Sequence, residues 1–187
     1  MQRRDKITFA VLALVCVVPV VVSYLAFFVW QPEGRMNYGE LIRPEPLPDA
    51  TLAGIDGQAA LGGREVLKGY WTLVYVGPAA CGAGCEEALF AMRQSRIAQR
   101  REMSRVERLW LVSDGGTPHA QILKAHDSLR VVRAAPAWLE KLPDADLGVH
   151  VYLVDPLGNV MMRFPGHPDV ALVIRDLQRL LKFSGVG

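Results

Sequence analysis

Residues 71–85 read WTLVYVGPAACGAGC, and this stretch decides the fold. Its first six residues are apolar or β-favouring and predict a buried strand. A glycine-rich turn follows with Cys81 and Cys85 four residues apart, and the sequence becomes helical in character from Glu86. The positive end of a helix dipole favours thiolate, which is the reactive and metal-binding form of cysteine. The pattern therefore predicts an exposed pair of thiols where a strand meets a helix, suited to redox chemistry, soft-metal binding or both.

The N-terminal segment predicts a membrane anchor. Residues 7–30 contain no charged side chain, and these 24 residues are long enough to cross about 30 Å of hydrocarbon as a helix. Three basic residues precede them and mixed charge follows, so the positive-inside rule places residues 1–6 in the cytoplasm and the rest of the chain outside it. A cleaved signal peptide is the alternative, but its apolar core would span about 7–15 residues and end at a small-residue site. We expect an uncleaved single-pass anchor.

The exported part divides into a linker and one domain. Residues 31–48 carry four prolines and predict an extended spacer. Residues 49–187 are enough for one domain with its own core. Within them, strands are predicted at 71–76, 106–112, 149–154 and 160–164, and helices at 86–104, 117–129 and 170–183. This order of elements is typical of an α/β sandwich. The net charge of +2 gives no indication of nucleic-acid binding.

The two exported cysteines are better explained by chemistry than by stabilisation. The third cysteine, Cys16, lies in the membrane segment and is expected to act as a small apolar residue. A disulfide between Cys81 and Cys85 would close a very short loop and remove little chain entropy. When reduced, the two thiolates suit a soft ion such as Cu(I), and one imidazole would complete a three-coordinate copper site. Zinc ordinarily needs four protein ligands, and the chain has no second cysteine pair.

The imidazole of such a site would come from one of the four histidines, which are His119, His126, His150 and His167. His150 is the preferred candidate, because it lies on a strand expected near the middle of the sheet. The alternative for His150 is an ordinary half-buried sheet residue between Val149 and Val151. His126 is interpreted as an exposed helix residue, and His167 as a residue of a proline-flanked loop.

A basic stretch covers the first predicted helix of the domain and the residues after it. It contains Arg93, Arg96, Arg100, Arg101, Arg105 and Arg108. The simpler interpretation is a solvated helix face. The functional alternative is a docking surface for an acidic partner or for anionic lipid headgroups. The sequence does not decide between the two.

Taken together, these motifs resemble the Sco/SenC family over residues 47–183. The matching segments are the strand at 71–76, Cys81-x-x-x-Cys85, Leu111-Val112-Ser113-Asp114 followed by Thr117-Pro118, and Tyr152-Leu153-Val154-Asp155-Pro156-x-Gly158. Members of this family are membrane-anchored, thioredoxin-fold copper chaperones for the dinuclear copper centre of cytochrome c oxidase. The resemblance implies a thioredoxin-like sandwich behind a single transmembrane helix of the inner membrane, with the domain on the periplasmic side. It also implies copper as cargo, a respiratory oxidase subunit as partner, and Cys81 and Cys85 as copper ligands or redox dithiol.

Two positions depart from the family pattern. Gly82 and Glu86 stand where a proline usually follows each cysteine. The family's ligand histidine would fall near Leu147, just after Asp146, whereas His150 lies on the strand itself. By strand alternation, His150 is expected to face a different side from that ligand. The sequence therefore retains the two cysteines of the family motif. The identity of a third copper ligand is left open.

Three functions fit these observations. The first is an oxidase assembly factor that binds copper through Cys81 and Cys85, with His150 as third ligand, or keeps partner cysteines reduced for metallation. The second is a thiol–disulfide oxidoreductase in which Cys81 is the nucleophile and Cys85 resolves the mixed disulfide. The cysteines are separated by three residues, where thioredoxins have two, and this disfavours a general reductase. The third is a non-catalytic scaffold that contacts an oxidase subunit through Arg96 and Arg100. We expect an assembly factor rather than a turnover enzyme.

Overall fold

The computed structural model describes residues 3–29, 37–55, 57–145 and 148–185. The chain divides into two compact units, Met1–Met36 and Asn37–Gly187. The first unit contains one helix, α1 (Arg3–Val29), of which Lys6–Phe28 is long and apolar enough to cross a membrane. This agrees with the predicted anchor.

The second unit is built on one mixed six-stranded sheet. The strands are β1 (Glu40–Pro46), β2 (Trp71–Gly77), β3 (Val106–Val112), β4 (Arg130–Arg133), β5 (His150–Val154) and β6 (Asn159–Pro165). They are arranged in the order β1-β6-β5-β2-β3-β4, with β2, β3 and β4 parallel and the other three pairings antiparallel. All seven residues of β2 are buried, as expected for a central strand that is covered on both faces.

Four helices and two short 3₁₀ helices complete this unit. They are η1 (Arg64–Leu67), α2 (Ala83–Ile97), η2 (Arg100–Arg105), α3 (Ala120–Ala125), α4 (Pro136–Leu139) and α5 (Val170–Phe183). The predicted α/β sandwich is therefore confirmed, and the bounds of α5 agree with the predicted helix at 170–183. The side chain of Asp169 begins α5 by accepting hydrogen bonds from the backbone N–H groups of Ala171 and Leu172.

The sheet buries a separate apolar cluster on each of its two faces. The face that carries Leu73, Trp110 and Leu153 packs against α2 and α5, and we call it the α2/α5 face. The opposite face carries residues such as Val74 and Tyr152. It packs against the α4 region and the segments around Leu47, Leu52, Leu61 and Leu67, and we call it the α4 face. Because both clusters lie within the second unit, this unit contains its own complete hydrophobic core.

The proline-bearing segment is not wholly a spacer. Residues 31–48 were predicted as a linker, but Glu40–Pro46 form the edge strand β1, which pairs with β6. Proline is tolerated at a sheet edge because its missing N–H does not interrupt an inner hydrogen-bond ladder. The boundary of the compact unit accordingly lies at Asn37 rather than after Pro48. Residues 30–36 lie outside the described part of the chain.

Candidate redox site at the start of α2

Cys81 and Cys85 form a disulfide, with their Cα atoms 5.1 Å apart. Cys81 precedes Gly82, the N-cap residue of α2, and Cys85 lies in the first helical turn. Each cysteine is only 5% exposed and belongs to the apolar cluster of the α2/α5 face. The sequence correctly predicted the strand–turn–helix position of the pair. The predicted exposure was wrong, because the motif turns inward and the sulfur atoms pack against the core.

The backbone at the pair is held in an uncommon conformation. Cys81 has a positive φ of 26°, in the left-handed region that costs an L residue about 1–2 kcal/mol. Its N–H donates to the carbonyl oxygen of Pro78 across 3.3 Å. Residues held in such conformations are concentrated at functional sites, where the surrounding structure enforces them.

Asp114 helps to hold the loop that carries this backbone conformation. Its Oδ1 atom accepts hydrogen bonds from the backbone N–H groups of Ala79 and Gly116, each across 3.1 Å. The N–H of Ser113 donates to the carbonyl oxygen of Gly77 across 3.1 Å. A Cβ atom at Gly116 would lie 2.8 Å from the Cβ of Ala79, which is too close without movement of the loop. The Ser113-Asp114 part of the sequence motif thus positions the loop that leads to the cysteines.

The loop before β5 is tied to the end of β2. The Tyr75 hydroxyl donates to the carbonyl oxygen of Gly148 across 3.2 Å, and burial raises the pKa of Tyr75, so the hydroxyl keeps its proton. The position where the resemblance would place a ligand histidine, near Leu147 after Asp146, lies outside the described residues.

His150 is not brought to the cysteine pair. Val151 and Leu153 belong to the α2/α5 face together with the cysteines, whereas Tyr152 belongs to the α4 face. Because side chains alternate along a strand, His150 lies on the same side as Tyr152, and their ring centroids are 6.1 Å apart. The Nδ1–H of His150 donates to the carbonyl oxygen of Phe164 across 3.2 Å. These contacts are those of a sheet residue, which was the alternative interpretation.

His167 is the histidine that the fold does bring to the motif. A Cβ atom built on Gly84, between the two cysteines, would lie 3.6 Å from Cε1 of His167 and 4.0 Å from its Nε2. The Nδ1–H of His167 donates a short hydrogen bond to Oε2 of Glu87, one turn further along α2. The sequence analysis treated His167 as a loop residue, because the proximity of the β6–α5 loop to α2 is a tertiary feature with no local signal.

An open cleft of about 600 Å³ lies between α2 and α3 beside this motif. Glu86 and Glu87 line it at the cysteine end, and Arg93 and His126 line it further along. His126 was predicted to be exposed, but it is half-buried, and its Nδ1 is buried with no hydrogen-bond partner among the described residues. Burial, followed by the nearby cation Arg108 and then Arg93, lowers the pKa of His126. The neutral form of His126 is therefore favoured.

The arginine stretch is only partly a solvated face. Arg108 is 2% exposed, and one of its amino groups donates to the carbonyl oxygen of Asp127. Burial, and then the neighbouring Arg96, lowers the pKa of Arg108 to about 10, so it remains charged at neutral pH. Arg96 donates to the carbonyl oxygen of Val106 across 2.7 Å. Arg100 and Arg101 are exposed, and they are the members of the stretch that face solvent.

The copper prediction named Cys81 and Cys85 as soft ligands and His150 as the imidazole that would complete a three-coordinate site. Across residues 3–29, 37–55, 57–145 and 148–185, no group of three or more His, Cys, Asp or Glu side chains is arranged to hold a metal ion. The sulfurs are bonded to each other, and His150 lies on the other face of the sheet. Among the described residues, Cys81 and Cys85 therefore form a disulfide, and His150 does not join them in a three-ligand set.

A comparison with known protein families identifies the family to which this chain belongs. A family model described as "Transmembrane-like, thioredoxin-like, C-terminal domain" matches residues 71–184, which is more than half of the chain. The chain belongs to this family. The match begins with β2 and ends after α5, so it includes the cysteine pair and both helices of the α2/α5 face. No curated protein matches the chain.

Solved structures of Sco proteins share the fold. Apo Sco1 from Thermus thermophilus is 19% identical with a TM-score of 0.59, and the match covers 79% of this chain and 99% of that one. Copper-bound ScoI from Bradyrhizobium japonicum is 20% identical with a TM-score of 0.56, covering 72% and 99%. A thioredoxin-family thiol:disulfide interchange protein from Chlorobium tepidum is 20% identical with a TM-score of 0.56, covering 75% and 98%. The predicted likeness to Sco proteins is confirmed at the level of the fold.

Proposed function

We propose that this chain is a membrane-anchored thiol–disulfide exchange factor that acts outside the cytoplasm in the assembly of a respiratory oxidase. The observation that carries the proposal is the disulfide between Cys81 and Cys85 at the N-terminus of α2. The N-cap of this helix is Gly82, which has no side chain to compete for the first backbone N–H groups. These groups and the helix dipole favour a thiolate when the pair is reduced.

In the proposed direction, the reduced pair acts on a disulfide of a partner protein. The Cys81 thiolate attacks one partner sulfur, the partner S–S bond breaks, and its second sulfur leaves as a thiolate. The Cys85 thiolate then attacks the Cys81 sulfur of the mixed disulfide, which releases the first partner sulfur and forms the Cys81–Cys85 bond. The partner gains two electrons and this pair loses two, so a further dithiol protein must return them. The partner is left with the free thiols that a copper centre requires.

The proposed location follows from the anchor. Three basic residues precede the apolar part of α1, and the positive-inside rule favours a cytoplasmic N-terminus. The domain would then lie on the periplasmic side of the inner membrane, where disulfides persist. A role in oxidase assembly is supported by the shared fold with Sco proteins and by the resemblance of the cysteine motif.

The proposal is tested by complementation and by direct redox titration. In a strain that lacks the protein, oxidase activity is expected to fall and to be restored by the wild type, but not by a Cys81→Ser, Cys85→Ser double variant. A Cys16→Ser variant is the matched control and is expected to restore activity. In detergent, the full chain is expected to show a reversible two-electron transition against a thiol buffer, read by alkylation and mass spectrometry. Full rescue by the double variant would remove the dithiol mechanism.

Copper delivery is the second candidate, and it is favoured by the shared fold with the copper-bound ScoI. Reduced Cys81 and Cys85 supply two soft sulfur ligands suited to Cu(I). The test is the amount of Cu(I) retained per reduced full-length chain against a competing chelator, beside His150→Ala and His167→Ala variants. Retention that survives both histidine variants indicates a two-sulfur cargo site. Retention lost with His150→Ala would restore the predicted ligand set, and loss of all copper would leave exchange alone.

A further inference from the structure

A concentration of positive charge lies away from the cysteine pair, on η2 and α5. Its cations are Arg100, Arg101, Arg105, Arg175, Arg179 and Lys182, and we call this set the basic surface. The acids within η2 and α5 are Glu102, which is exposed, and Asp176, which is buried. Six cations and two acids give these two elements a net charge of +4. The whole chain carries +2, so the remaining residues together carry −2.

The basic surface is a fixed feature of the fold. Arg105 joins its two elements, since its guanidinium donates to the carbonyl oxygens of Leu181 (3.2 Å) and Ser184 (2.9 Å) and pairs with Glu102 (2.7 Å). The cations of α5 recur at helical spacing, which places Arg175, Arg179 and Lys182 along one side of that helix. The C-terminal turns of α5, which carry Lys182, are therefore held beside η2.

Apolar side chains are exposed within the same region. Phe183 is 81% exposed at the end of α5, Met103 in η2 is 36% exposed, and Ile97 at the end of α2 is 45% exposed. Cations combined with exposed apolar side chains are typical of surfaces that bind the headgroup and upper acyl region of a bilayer. A purely electrostatic contact with an acidic protein would not require them.

The chain enters the domain at this same helix. The backbone N–H groups of Tyr38 and Gly39 both donate to Oδ2 of Asp176 on α5, across 2.7 and 2.9 Å. Residues 30–36 separate α1 from Asn37, and seven residues span at most about 25 Å. In a membrane-anchored chain, a link of this length keeps the whole domain near the bilayer, and the charge of the basic surface then decides which side binds the lipid.

We propose that the basic surface binds the anionic headgroups of the membrane in which the chain is anchored. Such an interface holds the domain in one orientation on the bilayer and leaves the motif at the start of α2, the opposite end of that helix from η2, open to partners. Each cation near an anionic bilayer raises the membrane-binding constant about fivefold. Salt screens this attraction. The inference rests on the proposed anchoring but not on the proposed redox chemistry.

The test compares the full chain in nanodiscs of pure phosphatidylcholine and in nanodiscs with 30% phosphatidylglycerol, by hydrogen–deuterium exchange. In the anionic discs, peptides covering η2 and the C-terminal half of α5 are expected to exchange more slowly by a factor of about five or more. This protection is expected to disappear in high salt. An Arg100→Glu, Arg101→Glu, Lys182→Glu variant should lose it, whereas the charge-matched control Lys68→Glu, Lys124→Glu, Lys141→Glu should keep it.

The outcomes separate the two proposals. Failure of the full chain to enter nanodiscs contradicts the anchoring, and hence both the location and this inference. Incorporation with equal exchange in the two lipids overturns the inference and leaves the anchored redox factor intact. If the reversal variant proves unfolded, seen as fast exchange in β2 and β3, the salt dependence of the wild-type protection decides. Protection that persists in high salt and in neutral lipid also counts against the basic surface.

Discussion

The α2/α5 face and the α4 face of the sheet both bury continuous apolar clusters, yet they carry different functional residues. The α2/α5 face holds the disulfide, and the loop that bears His167 approaches it from above α2. The α4 face holds His150, which hydrogen-bonds to the backbone of β6. A shift of one residue along β5 would exchange these assignments, because neighbouring strand residues point to opposite faces. Stability therefore depends on both faces, while the proposed chemistry depends on one.

The largest expected effect tests whether the two faces contribute equally to the free energy of unfolding. Trp110 on the α2/α5 face and Trp138 on the α4 face are both fully buried. Replacement of either by alanine is expected to cost about 3–5 kcal/mol in the free energy of unfolding, measured by denaturant titration of residues 37–187. A cost below about 1 kcal/mol for one of them would mean that its face is not part of the cooperative core.

A milder change at the same positions distinguishes the two tryptophans. The Nε1–H of Trp110 donates to the carbonyl oxygen of Gly77 across 3.4 Å, whereas that of Trp138 has no partner among the described residues. Trp110→Phe is therefore expected to cost more than Trp138→Phe, by up to about 1 kcal/mol.

The next effect concerns Asp176, the carboxylate on α5 that holds the first residues of the domain, Tyr38 and Gly39. Asp176 is 1% exposed and accepts the backbone N–H groups of Tyr38 and Gly39. Asp176→Ala leaves both donors without this acceptor and is expected to cost about 2–3 kcal/mol. The measurement is again denaturant titration, with Asp169→Ala, an exposed N-cap, as a smaller reference change of about 1 kcal/mol. Equal costs for the two variants would contradict a special role for Asp176.

A redox comparison of two histidines sharpens the difference between the faces. The ring of His167 lies beside Gly84 between the cysteines, so His167→Ala is expected to speed reduction of the disulfide by dithiothreitol several-fold. His150→Ala is expected to leave that rate unchanged, because its ring lies on the other face. Reduction is followed by quenched alkylation and mass spectrometry. The reverse ranking of the two variants would show that His150 reaches the pair.

The smallest expected effect is a pH dependence of stability. Burial and the neighbouring cations lower the pKa of His126 in the folded protein below its unfolded value near 6.5. The folded state then binds fewer protons than the unfolded state, so this contribution is present above pH 6.5 and is lost as the pH falls below it. His126→Gln is expected to flatten the decrease in the free energy of unfolding between about pH 7 and pH 5.5. An unchanged slope would assign the decrease to other groups.

Local sequence signals were sufficient for most elements of the fold. The closing helix was predicted at its observed bounds because its apolar residues recur at helical spacing. The cysteine pair was placed correctly at the start of a helix because a buried strand and glycines precede it. β1 was missed because two prolines disguise a strand that lies at the sheet edge.

The errors at the site have a different origin. Alternation along β5 could be seen in the sequence, but the face on which the cysteines lie could not, so His150 was assigned to a site that it does not reach. His167 was set aside because its contact with Glu87 joins positions 80 residues apart. The burial of the sulfurs likewise depends on how α2 packs against the sheet.

The contact between Asp176 and the domain entry has a consequence for synthesis. Asp176 and Gly39, which are joined by a hydrogen bond, are 137 residues apart in the sequence. Glu40 and its ion-pair partner Arg163 on β6 are 123 residues apart. During synthesis, β1 is therefore made early, but its partners are made last. Until β6 and α5 are made, β1 is an unpaired strand, and such edges are prone to misassociation. This edge of the sheet is protected only after the last strand and the last helix have formed.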